Sequence, residues 1–337
     1  MSSIEAEIKK PCDCDAPSCQ PSPEIDLESI KTKVLQTPIT PSKIISTSGT
    51  ILDREILRTD ELIIQENGLL KLEGNNELLW IAIVVKNLKF IGSNTGKSTF
   101  NVTWNEFDLN SLNGDNGNDG PNATKSGYNG GHGESGKNGI TRLLPNIYFI
   151  VRQYEVVHGS IDDIDITFNL DGFPGGKGGD GGKGGNGTDG KNGRNGSDGL
   201  LNCKSGPGNG QDGGNGGYGG RGGNGGCGSN GPLVEIIYLD PLVYDKFIST
   251  KYSVNGGQNI IPNYGKHGTS GLPGYGGSPG LPTTLCRGKK SFGKNGKPST
   301  ADETANWHLG DGKQGLDGKD GDFLLTMSEE IIEFLFT

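Results

Sequence analysis

Chemistry in this 337-residue chain has few places to sit. The stretch GSNTGKST, from Gly92 to Thr99, ends as a phosphate-binding loop does, with Gly96, Lys97 and Ser98. That motif needs four residues between its glycines, and this stretch has three. FNVTW follows, a strand pattern where the helix N-terminus that holds phosphate must stand, so nucleotide binding is set aside. GGNGTDGKN, Gly184 to Asn192, partly fits a calcium-binding nonapeptide, but Lys191 occupies the position that should be apolar. Asp162, Asp163 and Asp165 form a second weak calcium candidate. CDCDAPSC supplies three thiols, Cys12, Cys14 and Cys19, without a nearby histidine, an incomplete zinc set that reads better as disulfide or free thiol. Cys203 and Cys227 are a candidate disulfide, and Cys286 is the other thiol within reach of Cys227.

Catalytic constellations are missing from the pattern. No nucleophile elbow, no HExxH helix and no supported Cys/His pair occurs, and His132, His158, His267 and His308 are scattered. The expectation is a protein that is not an enzyme and uses no cofactor and no metal. Tyr128, His132, Tyr218, Arg221, Tyr264, His267 and Tyr275 are different in kind: large amphipathic side chains set among glycines, where packing does not need them. They are the candidate binding residues, against the blander reading that they mark edges and turns.

What would position them is glycine. It falls at every third residue from Gly172 to Gly199 and again from Gly210 to Gly231. A period of three suits a left-handed threefold helix, in which each column of residues is one face. One column is bare throughout the first run, a second is bare at Gly176, Gly179, Gly182 and Gly185, and the third carries Lys177, Asp180, Lys183, Asn186 and Asp189. Two bare faces let backbones approach closely enough for N–H to C=O bonds between helices. Gly175, Gly178, Gly181, Gly184, Gly216, Gly219 and Gly222 are then structural, and the expected product is a polyglycine II bundle with one polar ridge per helix. Collagen, the competitor, wants proline in the other positions, and only Pro174 lies inside the first run. The strict register also argues against a flexible linker.

Between the glycine tracts lie strand-like blocks. LIIQENGLLKLEGN, LLWIAIVV, LKFIG and FNVTW alternate apolar residues, with Leu62 and Ile64, Leu70 and Leu72, Leu88 and Phe90, Val102 and Trp104 each pointing one way. In SIDDIDITFNL, Ile164, Ile166, Phe168 and Leu170 face inward. The fold expected is mostly β plus polyglycine II: a β-solenoid or small β-sandwich scaffold from which glycine-rich excursions leave and return, gathered side by side. The divisions read as an extended arm or tether at 1–45, a β-rich scaffold at 46–110, a first glycine tract at 111–140 and strands at 141–171. The main glycine tracts follow at 172–232, strands at 233–260, further tracts at 261–322 and a closing strand or helix at 323–337.

Only 31% of the chain is hydrophobic, so a conventional core uses part of it. The net charge of −9 comes from both signs, which leaves no basic footprint for nucleic acid. The N-terminus lacks the apolar stretch of a secretory signal, and LLWIAIVV is too short to span a bilayer. The expectation is therefore an extracellular or particle-surface protein without a recognisable secretory signal and without membrane insertion.

The runs GGKGGDGGKGGNG and GQDGGNGGYGGRGGNGG resemble, in period, two groups built as polyglycine II bundles: phage tail-tip adhesins and the glycine-rich antifreeze protein of springtails. The resemblance covers the glycine tracts and none of the strand-like remainder. The adhesins imply receptor contact through loops at the bundle tip, here turns such as LLNCKSGP. The antifreeze group implies a flat face of small residues, whereas these ridges carry Lys, Asp, Asn and Arg. Three functions stand in order: a nonenzymatic structural or adhesive module that meets a surface receptor from a phage, phage-like particle or cell surface; a filament subunit joined to neighbouring protomers through its N-terminal arm, as a homo-oligomer or part of a larger assembly; and an ice-binding protein.

Overall fold

The computed structural model describes residues 27–74, 78–93, 96–299 and 310–336. The arm 1–26 with CDCDAPSC, and His308, lie outside the described residues, as do Asn94 and Thr95 of the phosphate-loop look-alike. Helix α1 (Leu27–Gln36) opens the described chain. It is followed by β1 (Thr40–Ile45), β2 (Thr50–Leu52), β3 (Ile56–Ile64), β4 (Gly68–Leu72), β5 (Trp80–Ile91) and β6 (Ser98–Trp104). After a first glycine excursion come β7 (Asn146–His158) and β8 (Ile164–Asn169), and the next excursion holds a small hairpin, β9 (Ser197–Asp198) with β10 (Cys203–Ser205). The remaining elements are β11 (Leu233–Tyr238), α2 (Pro241–Phe247), β12 (Lys251–Ser253), β13 (Asp322–Met327) and α3 (Glu329–Phe336).

These elements make an α/β fold of two mostly parallel sheets with few helices, which corrects the expected scaffold. The six-stranded sheet runs β1-β3-β5-β7-β11-β13 and the five-stranded sheet runs β12-β8-β6-β4-β2. It is neither a β-solenoid nor a β-sandwich, and the reason is helical. On β5, Ile81, Ile83 and Val85 join the core between the sheets, while Trp80, Ala82 and Val84 face the other way and pack with Ile30 and Val34 of α1 and Ile332 and Leu335 of α3. WIAIVV, the greater part of the apolar run LLWIAIVV, is thus the signature of a strand buried on both faces, as parallel sheets require. The alternating strands feed one face only: Leu62, Ile64, Leu70, Leu72, Ile164, Ile166, Phe168 and Leu170 all lie in the core between the sheets.

Local chemistry places the helices. Asp240 caps α2 by accepting from the Leu242 N–H at 3.0 Å, with Pro241 at the first helical position. Arg58 donates to the carbonyls of Leu35 at 3.2 Å and Leu335 at 2.8 Å, so one guanidinium satisfies the ends of α1 and α3 together. The stretch 27–45, expected within an arm, therefore carries α1 and β1.

The glycine segments have no regular helix or strand apart from the small hairpin, and they do not make a clear polyglycine bundle. They are laid down as two layers that continue the two sheets. Segments 113–123, 172–196 and 255–281 leave the five-stranded sheet after β6, β8 and β12, and neighbours among them run parallel. Segments 127–140, 208–231 and 310–321 return to the six-stranded sheet before β7, β11 and β13. Each outward segment is antiparallel to its return: Gly217 donates to Gly185, Gly220 to Gly182 and Gly223 to Gly179, at 2.7 to 2.8 Å. Across each layer Gly178, Gly181 and Gly184 donate to the carbonyls of Asn263, Lys266 and Thr269 at 2.8 Å. Gly216, Gly222 and Gly175 donate in the same way, to Lys297 and Gly310 carbonyls and to the Asn259 side chain.

The second departure from a polyglycine bundle is the polar column. Its side chains serve the backbone of the neighbouring segment instead of forming a free ridge. Asn116 accepts from the Asp180 N–H at 2.7 Å, and Asp180 in turn accepts from the Lys266 N–H at 2.8 Å. Asn122, Asn186 and Leu272 repeat the relay two three-residue steps on, at 2.7 and 2.8 Å. Asx side chains thus supply a second set of lateral acceptors beside the glycine carbonyls.

Two stability predictions follow from these packings. A Cβ on Gly181 would land on the Gly220 carbonyl oxygen, whereas Gly206 has nothing near it. Gly181→Ala should therefore destabilise by roughly 1–3 kcal/mol, the usual penalty of overpacking, while Gly206→Ala leaves the thermal midpoint near wild type; equal midpoints would show that the layers are loose. Lys246 is only 9% exposed, donates to the Ile164 carbonyl, and is held below the usual lysine range by burial, against the pull of Asp165 and Asp162. Because its folded value is depressed, the penalty for folding around the ammonium is full at neutral pH and fades as pH climbs toward the ordinary lysine value. The stability of Lys246→Met relative to wild type should then be greatest near neutrality and shrink in alkaline denaturation series; a gap that widened would contradict the assignment.

Candidate functional site

The seven aromatic and basic candidates do not converge. His132 and Tyr218 belong to adjacent parallel segments of the return layer, where their rings stack at 5.0 Å and the Tyr218 N–H donates to His132 Nδ1 at 3.0 Å. Arg221 follows Tyr218 by one three-residue step. Tyr128 lies at the turn between the first outward and return segments, with the Lys125 ammonium over its ring at 5.8 Å. His267 and Tyr264 lie on segment 255–281, and His267 Nδ1 meets Asp311 at 2.8 Å. The His267 N–H, and then its ring, hold the Asp311 carboxyl below the usual carboxylate range. Tyr275 is exposed on that segment's polar column, with its N–H given to Asp189 at 2.7 Å. Through side chain or backbone, six of the seven (His132, Tyr218, Arg221, Tyr128, His267 and Tyr275) are thus tied into contacts with neighbouring segments, and the set spreads over both layers.

A cavity of about 520 Å³ is lined by Trp104, Phe107, Phe173, Glu106 and Asp171 where sheet meets glycine layer. Its polar groups are occupied with structural work. Trp104 Nε1 donates to the Asp171 carbonyl at 3.1 Å, Asp171 accepts from Ser253 and Asn255, and Glu106 pairs with Lys71 at 3.2 Å. Among the described residues no cluster of His, Cys, Asp and Glu could hold a metal ion. Asp163 accepts from the Ser160 N–H at 3.3 Å, and Asp165 faces Lys97 at 3.9 Å. No helix among the described residues is long and apolar enough to cross a membrane.

The site with unexplained chemistry is the far end of the glycine layers. The bonds between 172–196 and 255–281 begin at Gly172 with Asn255, beside β8 and β12, slip by two residues before Asn263, and then run in step from Gly178 with Asn263 to Gly196 with Leu281. At that distal end the chain folds into the β9–β10 hairpin, whose turn is closed by Gly199 donating to the Asn202 carbonyl at 2.7 Å. The two central positions of this turn are Leu200 and Leu201, 97% and 89% exposed. Turns of this length recruit Gly, Asn, Asp, Ser or Pro for conformational reasons, so two leucines there are not what folding asks for. A second loop, 281–292, closes against the hairpin. Asp198 accepts from the Thr283 hydroxyl and from the Leu285 N–H, and Cys203 is disulfide-bonded to Cys286 with Cα atoms 4.8 Å apart.

This pairing corrects the candidate disulfide: Cys203 bonds to Cys286 and not to Cys227, which is itself disulfide-bonded. Cys227 sits a long way down the return segment, level with Thr141, which accepts its N–H at 2.8 Å. The hairpin turn itself was readable as LLNCKSGP. Its partner loop was not, because nothing local in LPTTLCRGKKSF marks it as lying across 83 residues from Cys203. The signal that could have found it is the lateral register, since Gly196 and Leu281 end the same ladder.

The two loops differ from the rest in charge as well. Residues 194–205 and 281–292 contain Arg194, Lys204, Arg287, Lys289 and Lys290 against Asp198 alone, a local charge of about +4 (five cations less one carboxylate) on a chain of −9. All five cations are exposed, with Leu281, Leu285 and Phe292 exposed among them. No protein-family model, no curated protein and no solved structure matches the chain.

The disulfide should matter locally. Cys203→Ser/Cys286→Ser should leave the sheet core's melting cooperative while raising amide exchange at residues 197–205 and 281–291, since the bond ties two loops 83 residues apart. Unchanged exchange there would show that the lateral bonds alone hold the tip.

Proposed function

We propose that this is a nonenzymatic structural or adhesive protein that carries its disulfide-fastened tip away from a folded base and uses it for surface recognition. The observation that carries the reading is the pair Leu200 and Leu201, set at the centre of a tight turn at the outermost point and almost wholly exposed. Exposed apolar side chains in a position that does not need them point to a partner that covers them. A rigid spacer behind the tip supports the same reading. Recognition by a preformed surface avoids the ordering cost that a flexible loop would incur on binding. Disulfides at Cys203–Cys286 and Cys227 suit an oxidising setting, which favours display on a cell surface or on a phage or phage-like particle.

A second reading, a filament subunit, is favoured by the open sheet edges. Among the described residues β13 pairs only with β11, and Leu324 and Met327 on it are exposed, the form of edge that recruits another strand. Fluorescently labelled full chain, applied to a panel of bacterial and eukaryotic cells, separates the two. Retention on some cells that falls at least tenfold in Leu200→Ser/Leu201→Ser is the expected result. Retention independent of the tip, with fibres in electron micrographs, would favour the filament and remove the adhesive reading.

A further inference from the structure

Resting on the reading of the tip as the recognition surface, we infer that its partner is an anionic lipid surface, met by leucine side chains within a basic collar. The argument starts from what the tip presents together. Leu200 and Leu201 project from the hairpin turn, and Leu285 and Phe292 lie on the loop that the Cys203–Cys286 bond fastens beside it. Arg194, Lys204, Arg287, Lys289 and Lys290 are exposed on the same two loops. A protein partner would ordinarily offer a pocket for aromatic anchors and a paired rim; two adjacent aliphatic side chains at a convex point have no concavity of their own and suit a deformable, apolar acceptor. Apolar points within a cationic ring match the layering of a bilayer, hydrocarbon beneath anionic headgroups.

Charge makes the choice sharper. A chain of net −9 would be repelled from an anionic bilayer unless its cations were gathered at the point of approach. Here five of the 31 cations stand together at the distal end against Asp198 alone. Because screening confines such attraction to about 10 Å at 0.1 M salt, the tip's own sign decides the encounter once the acidic remainder is held behind it. The contact is shallow, limited to side chains of the two loops, and requires no described segment to cross the bilayer. A different exposed apolar pair, Ile260 and Ile261, 77% and 80% exposed, lies at the other end of segment 255–281, near β12, and lacks the collar: its nearest charged neighbours in sequence are Lys251 and Lys266. It serves as the internal control.

The test is co-sedimentation of the full, disulfide-bonded chain with phosphatidylcholine vesicles, with and without phosphatidylserine. Binding is expected only with phosphatidylserine and should weaken as salt is raised. Each basic side chain near an anionic surface is worth about a fivefold factor in partitioning, so Lys289→Gln/Lys290→Gln should lower it by about 25-fold. Leu200→Ser/Leu201→Ser should lower it by at least about tenfold, and Ile260→Ser/Ile261→Ser should leave it unchanged. All these positions are exposed, and circular dichroism with an intact disulfide checks that each variant is folded. No binding to phosphatidylserine vesicles, or binding that the tip substitutions leave intact, overturns the inference. If vesicles are not bound while tip-dependent retention on cells persists, the partner is a protein or glycan receptor and only this inference fails; if both are lost, the adhesive reading fails as well.

Discussion

A lateral hydrogen bond repeated every third residue is the constraint from which the rest of this structure follows. A glycine segment without helix or strand has no internal partner for its N–H groups, and a buried N–H cannot be left unpaired. The only acceptors at hand are on neighbouring segments, so segments must lie close enough for Gly220 to reach Gly182 and Gly223 to reach Gly179. At that spacing a side chain would occupy the neighbour's carbonyl oxygen, as a Cβ on Gly181 would at Gly220. The same period then decides where non-glycine residues can be. One position in three has room for a side chain, and there the chain places Asn, Asp, Lys, Tyr and Leu.

Magnitudes explain why the glycine layers do not stand alone. Fixing one residue's backbone costs about 1–2 kcal/mol, and glycine is the dearest case. A hydrogen bond exchanged for water returns about 0.5–1.5 kcal/mol. Glycine segments held only by such bonds fall short of that cost, so they need anchoring from outside themselves. The sheet core does this at the base, because each outward segment begins where β6, β8 or β12 ends, and each return enters β7, β11 or β13. Strand order and segment order are therefore the same order. The Asx side chains add bonds without adding ordered backbone, which tips the balance along the length, and the Cys203–Cys286 bond closes the far end.

Much of this could be read in the sequence, and what could not be has physical causes. The glycine period was plain because a Cβ is forbidden at fixed intervals, and strands such as SIDDIDITFNL were plain because one buried face makes residues alternate. The helices were not. α1 lies in a polar stretch whose apolar face is only Ile30 and Val34 with their neighbours, and α2 and α3 are short segments whose apolar residues read equally well as strand. Missing α1 and α2, and leaving 323–337 open between strand and helix, gave the wrong fold class, since it is α1 and α3 that cover the outer face of the six-stranded sheet and make Trp80, Ala82 and Val84 core residues. The candidate binding residues are dispersed for a related reason. Chemical type marks Tyr218 or His267 as unusual among glycines, but type does not say whether the neighbour in space is solvent, Nδ1 of His132 or the carboxylate of Asp311.

The lateral network also explains why the proposed recognition surface lies at an end and not on a face. Asn122, Asn186, Asp180 and Asp189 look like a polar surface in sequence, yet their oxygens are committed to the N–H groups of Asn186, Leu272, Lys266 and Tyr275. Changing any of them to suit a ligand would strip an acceptor from the backbone beside it. The face is chemically regular because it is structural. At the tip that obligation ends: beyond Gly196 and Leu281 the ladder has no further rung, and the turn at Leu200 and Leu201 needs only the bond from Gly199 to Asn202. Residues there are free of the lattice behind them, and side chains that serve nothing within the fold collect at the point where the chain is least constrained.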